Sequence, residues 1–143
     1  MKIWKIDSLS LEAINAQAKN TMMEHLGIEV TEIGDDYIKA KMPVDHRTHQ
    51  PMGLLHGGAH VVLAESLGSM SANFCLDITK EYALGLDINS NHIRSVRDGY
   101  VYGTARPIHI GSKTQVWEIK VYDEKENLLN ISRLTMMVLQ HKD

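Results

Sequence analysis

The chain has 143 residues, of which 43% are hydrophobic and 23% charged, and this indicates one globular domain over residues 1–143 rather than a disordered chain. Its formal net charge of −3 excludes a nucleic-acid-binding protein that relies on bulk positive charge, and no apolar run reaches the roughly 18 residues of a membrane helix. The single cysteine, Cys75, excludes an intrachain disulfide, and the N-terminus has no apolar signal-peptide core, so we expect a cytoplasmic protein.

Apolar residues recur at spacings of three and four over residues 10–26, with Ser10 as a capping residue and Gly27 as a stop, which predicts an N-terminal helix. Residues 28–33 and 37–42 alternate between apolar and polar side chains around a Gly-Asp-Asp turn, as in a β-hairpin. Residues 44–56 lack periodicity and are expected to form a loop, where functional groups often lie.

Residues 57–76 are apolar or small on nearly every face, which predicts a buried central helix. Four strand-like runs follow, at residues 82–96, 100–110, 113–122 and 128–139, separated by turn residues. The order of helix, two strands, helix and four strands predicts an α+β fold in which a long antiparallel sheet covers the central helix.

Glu65 lies within this apolar helix, where an unpaired carboxylate is costly to bury. Its neighbours on the helix surface are small, so a ligand or another surface can approach it closely, and Ser69 lies one turn further on the same face. Glu65 is therefore either a catalytic carboxylate or a residue on a wetter stripe of the helix.

His56, Gly57 and Gly58 precede and open the central helix. A helix N-terminus presents free N–H groups and a partial positive charge, which can hold a carbonyl oxygen that becomes an oxyanion. The alternative interpretation is that the glycines only permit a tight turn into the helix.

Other kinds of site have weaker support. The spacings His56–His60 and His46–His49 do not match a zinc motif, so we predict no metal and no cofactor. Cys75, at the end of an apolar helix, is expected to be a core residue rather than a nucleophile. Arg94 and Arg97 could hold a phosphate with their planar guanidinium groups, or could lie at a solvated strand end.

Four segments taken together resemble the hotdog-fold acyl-CoA thioesterases, in the branch of the 4-hydroxybenzoyl-CoA and 1,4-dihydroxy-2-naphthoyl-CoA thioesterases. The segments are QPMGLLHGG (50–58), LAESLGS (63–69), NHIRS (91–95) and HIGS (109–112). The resemblance implies a long antiparallel sheet wrapped around the central helix, plus the N-terminal helix. It also implies a homodimer with active sites at the interface, and a homotetramer of two such dimers.

The resemblance implies a catalytic group and a binding group of residues. In the first, the Gly57 N–H would polarise the thioester carbonyl, with Gln50 and His56 orienting it, while Glu65 and Ser69 would come from the partner subunit. Glu65 would act as a base on water or as a nucleophile. The coenzyme A portion of the substrate would be bound by His92, Arg94, Ser95, Gly111 and Ser112.

The first choice of substrate is 1,4-dihydroxy-2-naphthoyl-CoA of menaquinone biosynthesis, with benzoyl-CoA, fatty acyl-CoA and acyl carrier protein thioesters as further options. We expect a small-molecule acyl-CoA as the partner, and neither nucleic acid nor membrane. Two alternatives share the fold: a hydratase or dehydratase, which would need a histidine paired with an acid, and a non-enzymatic acyl-CoA-sensing domain.

Overall fold

The computed structural model describes residues 1–142, which form two short helices, two strands, a long helix and four strands in chain order. The elements are α1 (Leu11–Gln17), α2 (Met22–His25), β1 (Glu29–Ile33), β2 (Ile38–Pro43), α3 (Gly57–Phe74), β3 (Glu81–His92), β4 (Tyr100–Ile110), β5 (Thr114–Tyr122) and β6 (Leu128–Gln140). Over this part of the chain, no helix combines the length and apolar character needed to cross a membrane.

The prediction of one continuous N-terminal helix over residues 10–26 is wrong. Ser10 caps α1 as expected, and its hydroxyl accepts the Ala13 N–H at 3.1 Å. The helix then breaks because Asn20 has a φ of 61°, a left-handed conformation that an α-helix cannot continue through. A second short helix, α2, follows Thr21.

The six strands form one antiparallel sheet in the order β1-β2-β4-β5-β6-β3. The predicted hairpin and the predicted long antiparallel sheet are confirmed, whereas the strand order was not predicted. The expected strand over residues 82–96 is too long, since β3 ends at His92. Beyond it, the N–H groups of Ile93 and Arg94 both donate to the Leu129 carbonyl, so the chain leaves the regular ladder. Arg94 therefore lies past the end of the strand.

The sheet wraps around α3, whose Leu63, Ala64 and Leu67 are fully buried. Sheet and helix approach each other closely: a Cβ placed on Gly68 would lie 2.6 Å from Leu134 Cδ2. This arrangement confirms the predicted α+β fold and fixes α3 so that its first turn emerges at one end of the sheet.

β3 pairs with β6 on one side and forms an edge of the sheet on the other. It is 12 residues long, and most of its residues are exposed in the single chain. Leu84 and Leu86 are 52% and 59% exposed. A long, unpaired strand edge with exposed apolar side chains is a surface on which a second chain can pair.

Candidate active site

The loop between β2 and α3 is held rigidly before the helix begins. The buried Thr48 hydroxyl donates to the Pro43 carbonyl at 2.7 Å, and the Thr48 carbonyl accepts the His56 N–H at 2.8 Å. The Leu55 N–H donates to the Val96 carbonyl at 2.9 Å. These bonds fix the point at which α3 starts and join the loop to the segment that follows β3.

His56 is the N-cap of α3, and its Nδ1 accepts the Gly58 N–H at 2.8 Å. This bond satisfies one of the N–H groups that a helix leaves without an intrahelical acceptor. The Gly57 N–H, at the first helical position, also lacks an acceptor within the helix. The cap thus leaves this donor, supported by the partial positive charge of an 18-residue helix, for a ligand oxygen.

A cleft of about 320 Å³ opens in front of this helix end. It brings together five of the predicted site residues, which come from the loop, from the start of α3 and from the end of β3: Gln50, Gly57, His92, Arg94 and Ser95. His60, Leu54, Leu55 and Ile93 complete its lining. The cleft therefore combines N–H donors, two imidazoles and a guanidinium group.

Gln50 forms one wall of this cleft. Its side-chain carbonyl accepts the Met52 N–H, and its own backbone N–H donates to the Leu54 carbonyl at 2.8 Å. With Oε1 used by the loop, the side-chain NH₂ group is the part of Gln50 that can donate to a bound molecule.

Glu65 and Ser69 do not line this cleft within one chain. Glu65 lies eight residues after Gly57, about 12 Å further along the helix axis, and a Cβ placed on Gly85 of β3 would lie 2.5 Å from its Oε1. Ser69 lines a separate depression of about 390 Å³ between α3 and the two N-terminal helices. Within one chain, the Glu65 carboxylate therefore lies apart from the N-terminus of α3.

Gly111 and Ser112 lie in the turn between β4 and β5, where the Gly111 N–H donates to the Thr114 carbonyl at 2.9 Å. They do not line the cleft of their own chain either. Ten site residues were predicted, and one chain gathers only the five around the cleft together with His56, which caps the helix beside it.

Two residues were not predicted as part of the site: His60, which lines the cleft, and Asn130, which contacts His92 from behind the lining. His60 is only 4% exposed, and its pKa is lowered to about 4, chiefly because burial disfavours the charged ring and further because His92 is close. Asn130, fully buried in β6, lies with its Nδ2 3.1 Å from His92 Nδ1. His60 follows Gly57 by three residues on the same helix, and this spacing could have indicated that it lies at the cleft. The contact of Asn130 with His92 could not be predicted without knowing the register of β3 against β6.

Alternative chemistries find little support in the same geometry. Cys75 is buried, as predicted for a core residue, and burial raises the pKa of its thiol to about 11, which disfavours a thiolate nucleophile. Among residues 1–142, no three His, Cys, Asp or Glu side chains are grouped so that they could hold a metal ion. What the cleft offers is hydrogen-bond donation to an oxygen that gains negative charge.

The known proteins to which this chain is similar agree with this chemistry and with the fold. The thioesterase superfamily pattern matches residues 52–130. A 1,4-dihydroxy-2-naphthoyl-CoA hydrolase of Escherichia coli is 50% identical over 96% of this chain and 99% of its own length. A proofreading thioesterase of Cronobacter turicensis is 48% identical over 96% and 98% of the two chains. The crystal structure of a mutant thioesterase from Pseudomonas aeruginosa, 46% identical, superposes with a TM-score of 0.95 over 98% of this chain and 100% of the other.

The chain therefore belongs to the thioesterase superfamily, and its expected hotdog fold is confirmed. The prediction that it is an acyl-CoA thioesterase, an enzyme rather than a sensing domain, is also confirmed.

Proposed function

We propose that the enzyme hydrolyses aromatic acyl-CoA thioesters, with 1,4-dihydroxy-2-naphthoyl-CoA as the preferred substrate and benzoyl-CoA and fatty acyl-CoA as slower ones. The Escherichia coli relative named for this substrate supports the choice, with 50% identity along nearly the full length of both chains. This substrate would place the enzyme in menaquinone biosynthesis. The relative named a proofreading thioesterase is almost as similar, so substrate rank has to be measured.

The observation that carries the mechanism is the capped start of α3 at the cleft. In the proposed complex the thioester carbonyl oxygen accepts the Gly57 N–H, and Gln50 donates from the opposite wall. His56 holds the helix start in place through its bond to the Gly58 N–H. These donors stabilise the negative charge that develops on the oxygen when the carbonyl carbon is attacked.

The attacking group comes from a second copy of the chain. In one chain Glu65 is about two helical turns away from the Gly57 N–H, whereas the unpaired edge of β3 offers a surface for a partner. In a two-fold dimer the same edges meet, so each chain can place Glu65 and Ser69 at its partner's cleft. We propose this homodimer as the active unit, and a homotetramer as two such dimers.

Glu65 either takes a proton from water, whose oxygen then attacks the carbonyl carbon, or attacks that carbon itself to form an anhydride that water hydrolyses. Ser69 would position the water or the carboxylate. In both routes the carbon–sulfur bond breaks, its electron pair stays on sulfur, and free coenzyme A and a carboxylic acid are the products.

The remaining residues would bind coenzyme A. Arg94 and Ser95 line the cleft beyond the end of β3, where a guanidinium group can pair with a phosphate. His92, which lies in the same cleft, would contact the substrate closer to the thioester. We assign Gly111 and Ser112, in the β4–β5 turn, to the nucleotide end of the coenzyme bound across the dimer.

The test is release of free thiol from 1,4-dihydroxy-2-naphthoyl-, hydroxybenzoyl-, benzoyl- and fatty acyl-CoA by the wild type, Glu65→Gln and the exposed control Glu12→Gln. We expect the control to match the wild type and Glu65→Gln to lose at least about 10²-fold in kcat, as removal of a principal catalytic group does. Fastest hydrolysis of 1,4-dihydroxy-2-naphthoyl-CoA would support the substrate assignment. Hydrolysis of none of these thioesters by folded enzyme would refute the proposed function.

A further inference from the structure

His92 is held in a hydrogen-bond array that reaches into the core of the sheet. Asn130 Nδ2 lies 3.1 Å from His92 Nδ1 and 2.8 Å from Ser90 Oγ, while Asn130 Oδ1 accepts the Ser132 hydroxyl at 2.9 Å. The bonds to Ser90 and Ser132 orient the Asn130 amide with its nitrogen toward His92, and in this orientation the nitrogen donates and His92 Nδ1 accepts. A neutral imidazole whose Nδ1 accepts carries its proton on Nε2.

The Nε2 side of the same ring lies beside the start of α3. A Cβ placed on Gly57 would be 2.9 Å from both His92 Nε2 and Cε1. The imidazole therefore packs directly against the residue whose backbone N–H faces the thioester in the proposed mechanism, and both residues line the cleft. His92 therefore lies nearer to the reacting carbonyl than a residue that contacts only the nucleotide would need to lie.

His60 forms the other side of this arrangement. Its ring centroid is 5.9 Å from that of His92, with the planes tilted by 41°, and no group within residues 1–142 hydrogen-bonds to its buried Nδ1. Because burial keeps this imidazole uncharged at neutral pH, it adds no positive charge beside His92. An aromatic wall in this place limits how the His92 ring can turn.

We propose that His92, through its Nε2–H, is a catalytic residue that donates a second hydrogen bond to the thioester carbonyl oxygen beside the Gly57 N–H. Asn130 and His60 are positioning residues: Asn130 holds the proton of His92 on Nε2, and His60 holds the plane of its ring. This inference rests on the proposed thioester hydrolysis and gives its cleft a donor beyond Gly57 and Gln50.

The step balances without transfer of the His92 proton. When the oxygen of water or of Glu65 adds to the carbonyl carbon, the carbonyl π electrons move onto the oxygen, where both donors stabilise the charge. When the intermediate collapses, the electron pair returns and the carbon–sulfur bond breaks with its electrons on sulfur. The Nε2–H bond of His92 stays intact throughout, because a neutral imidazole is far too weak an acid to give up that proton.

The first experiment reads the tautomer directly. Protein labelled with ¹⁵N in histidine is measured at pH 8 by long-range ¹H–¹⁵N correlation, with His92→Gln used to assign the signals. We expect His92 to carry its proton on Nε2 in the wild type. In Asn130→Asp the new carboxylate accepts from Nδ1–H, so the proton should move to Nδ1. A wild-type His92 protonated on Nδ1 would overturn the role given to Asn130.

The second experiment separates kcat from KM on an acyl-CoA that the wild type hydrolyses. His92→Ala removes one oxyanion donor, so kcat should fall by about 10²–10³-fold with little change in KM, whereas His92→Gln, which keeps an N–H donor, should recover part of this loss. Asn130→Asp should lower kcat in the same way, and His60→Ala, which removes the ring that holds the plane of His92, should lower it by a smaller factor. The exposed His46→Gln serves as the control. Each variant's fold is checked by its melting temperature.

The outcomes are distinguishable. Unchanged kcat and raised KM in His92→Ala would make His92 a coenzyme contact only, and would overturn the inference while thioester hydrolysis stands. Lack of hydrolysis by the wild type would refute the proposed function, and with it the catalytic role of His92. The tautomer measurement would still report whether Asn130 holds the ring as inferred.

Discussion

At the scale of single residues, the buried imidazole of His60 couples folding stability to pH. In the unfolded chain its pKa returns to about 6.5, whereas in the folded protein burial and the nearby His92 lower the pKa to about 4. Below pH 6.5 the unfolded state therefore binds a proton that the folded state does not bind. The contribution of neutral His60 to the free energy of unfolding is fully present above pH 6.5 and is lost as the pH falls toward 4.

We expect this residue to reduce the free energy of unfolding by about 2 kcal/mol between pH 7.5 and 5.0. The measurement is urea unfolding of the wild type and His60→Phe at both pH values. His60→Phe should lose less stability over this interval, by about the same amount, and the exposed His46→Gln should behave like the wild type. Equal acid sensitivity of His60→Phe and the wild type would contradict the assignment.

Individual site residues also differ in whether the sequence can predict their position at the site. Gln50 and Gly57 line the same cleft, and the sequence can group them because the loop and the helix start are adjacent in sequence. Asn130 could not, because it meets His92 across 38 residues of chain, through a strand pairing that no local pattern specifies. The four-residue spacing of His56 and His60 pairs these two residues on one helix face, whereas the contact of His60 in the structure is with His92 on another element.

At the scale of elements, the strands were predictable and the N-terminal helix was not. Alternation of apolar and polar side chains reports directly on one buried face, as in β5, where every second residue is buried. The helical spacing over residues 10–26 is equally regular, but it continues across the break between α1 and α2. A single residue, Asn20, changes backbone conformation there without altering the pattern of side chains.

The contact between α3 and β3 gives an element-scale prediction. Glu65 Oε1 occupies the space that a side chain on Gly85 would need. In Gly85→Ala the flexible, half-exposed Glu65 side chain can move aside, so the fold should persist while the carboxylate shifts by about 1 Å or more. We expect kcat to fall by up to about 10²-fold, as small displacements of reacting groups do, with a melting temperature close to that of the wild type.

The double variant Gly85→Ala/Glu65→Gln is the control for this mechanism. If Gly85 acts only by leaving room for the carboxylate, the double variant should be no slower than Glu65→Gln alone, because the two changes remove the same function. Additive losses would instead point to a general disturbance of β3.

At the scale of the whole molecule, a pair of chains explains the placement of the site residues better than a single chain does. The cleft gathers Gln50, Gly57, His92 and Arg94, but Glu65 faces β3 some 12 Å further along the helix. The same strand has an unpaired edge and exposed leucines, on which a second copy can pair. In the proposed homodimer, the edge and the missing carboxylate are two aspects of one arrangement, in which each chain completes the other's site.

A mixture of two inactive variants tests this arrangement. His56→Ala damages the cleft side of a site and Glu65→Ala removes its carboxylate, so each variant alone should lose at least about 10²-fold in kcat. When equal amounts are unfolded together and refolded, random pairing gives a site with both sides intact with a probability of one half times one half. We therefore expect about a quarter of the wild-type activity in the mixture, and only the residual parental activity when the two are refolded separately and not allowed to exchange. If each chain held a complete site, every site in the mixture would still carry one damaged residue, and activity would not rise above that of the parents.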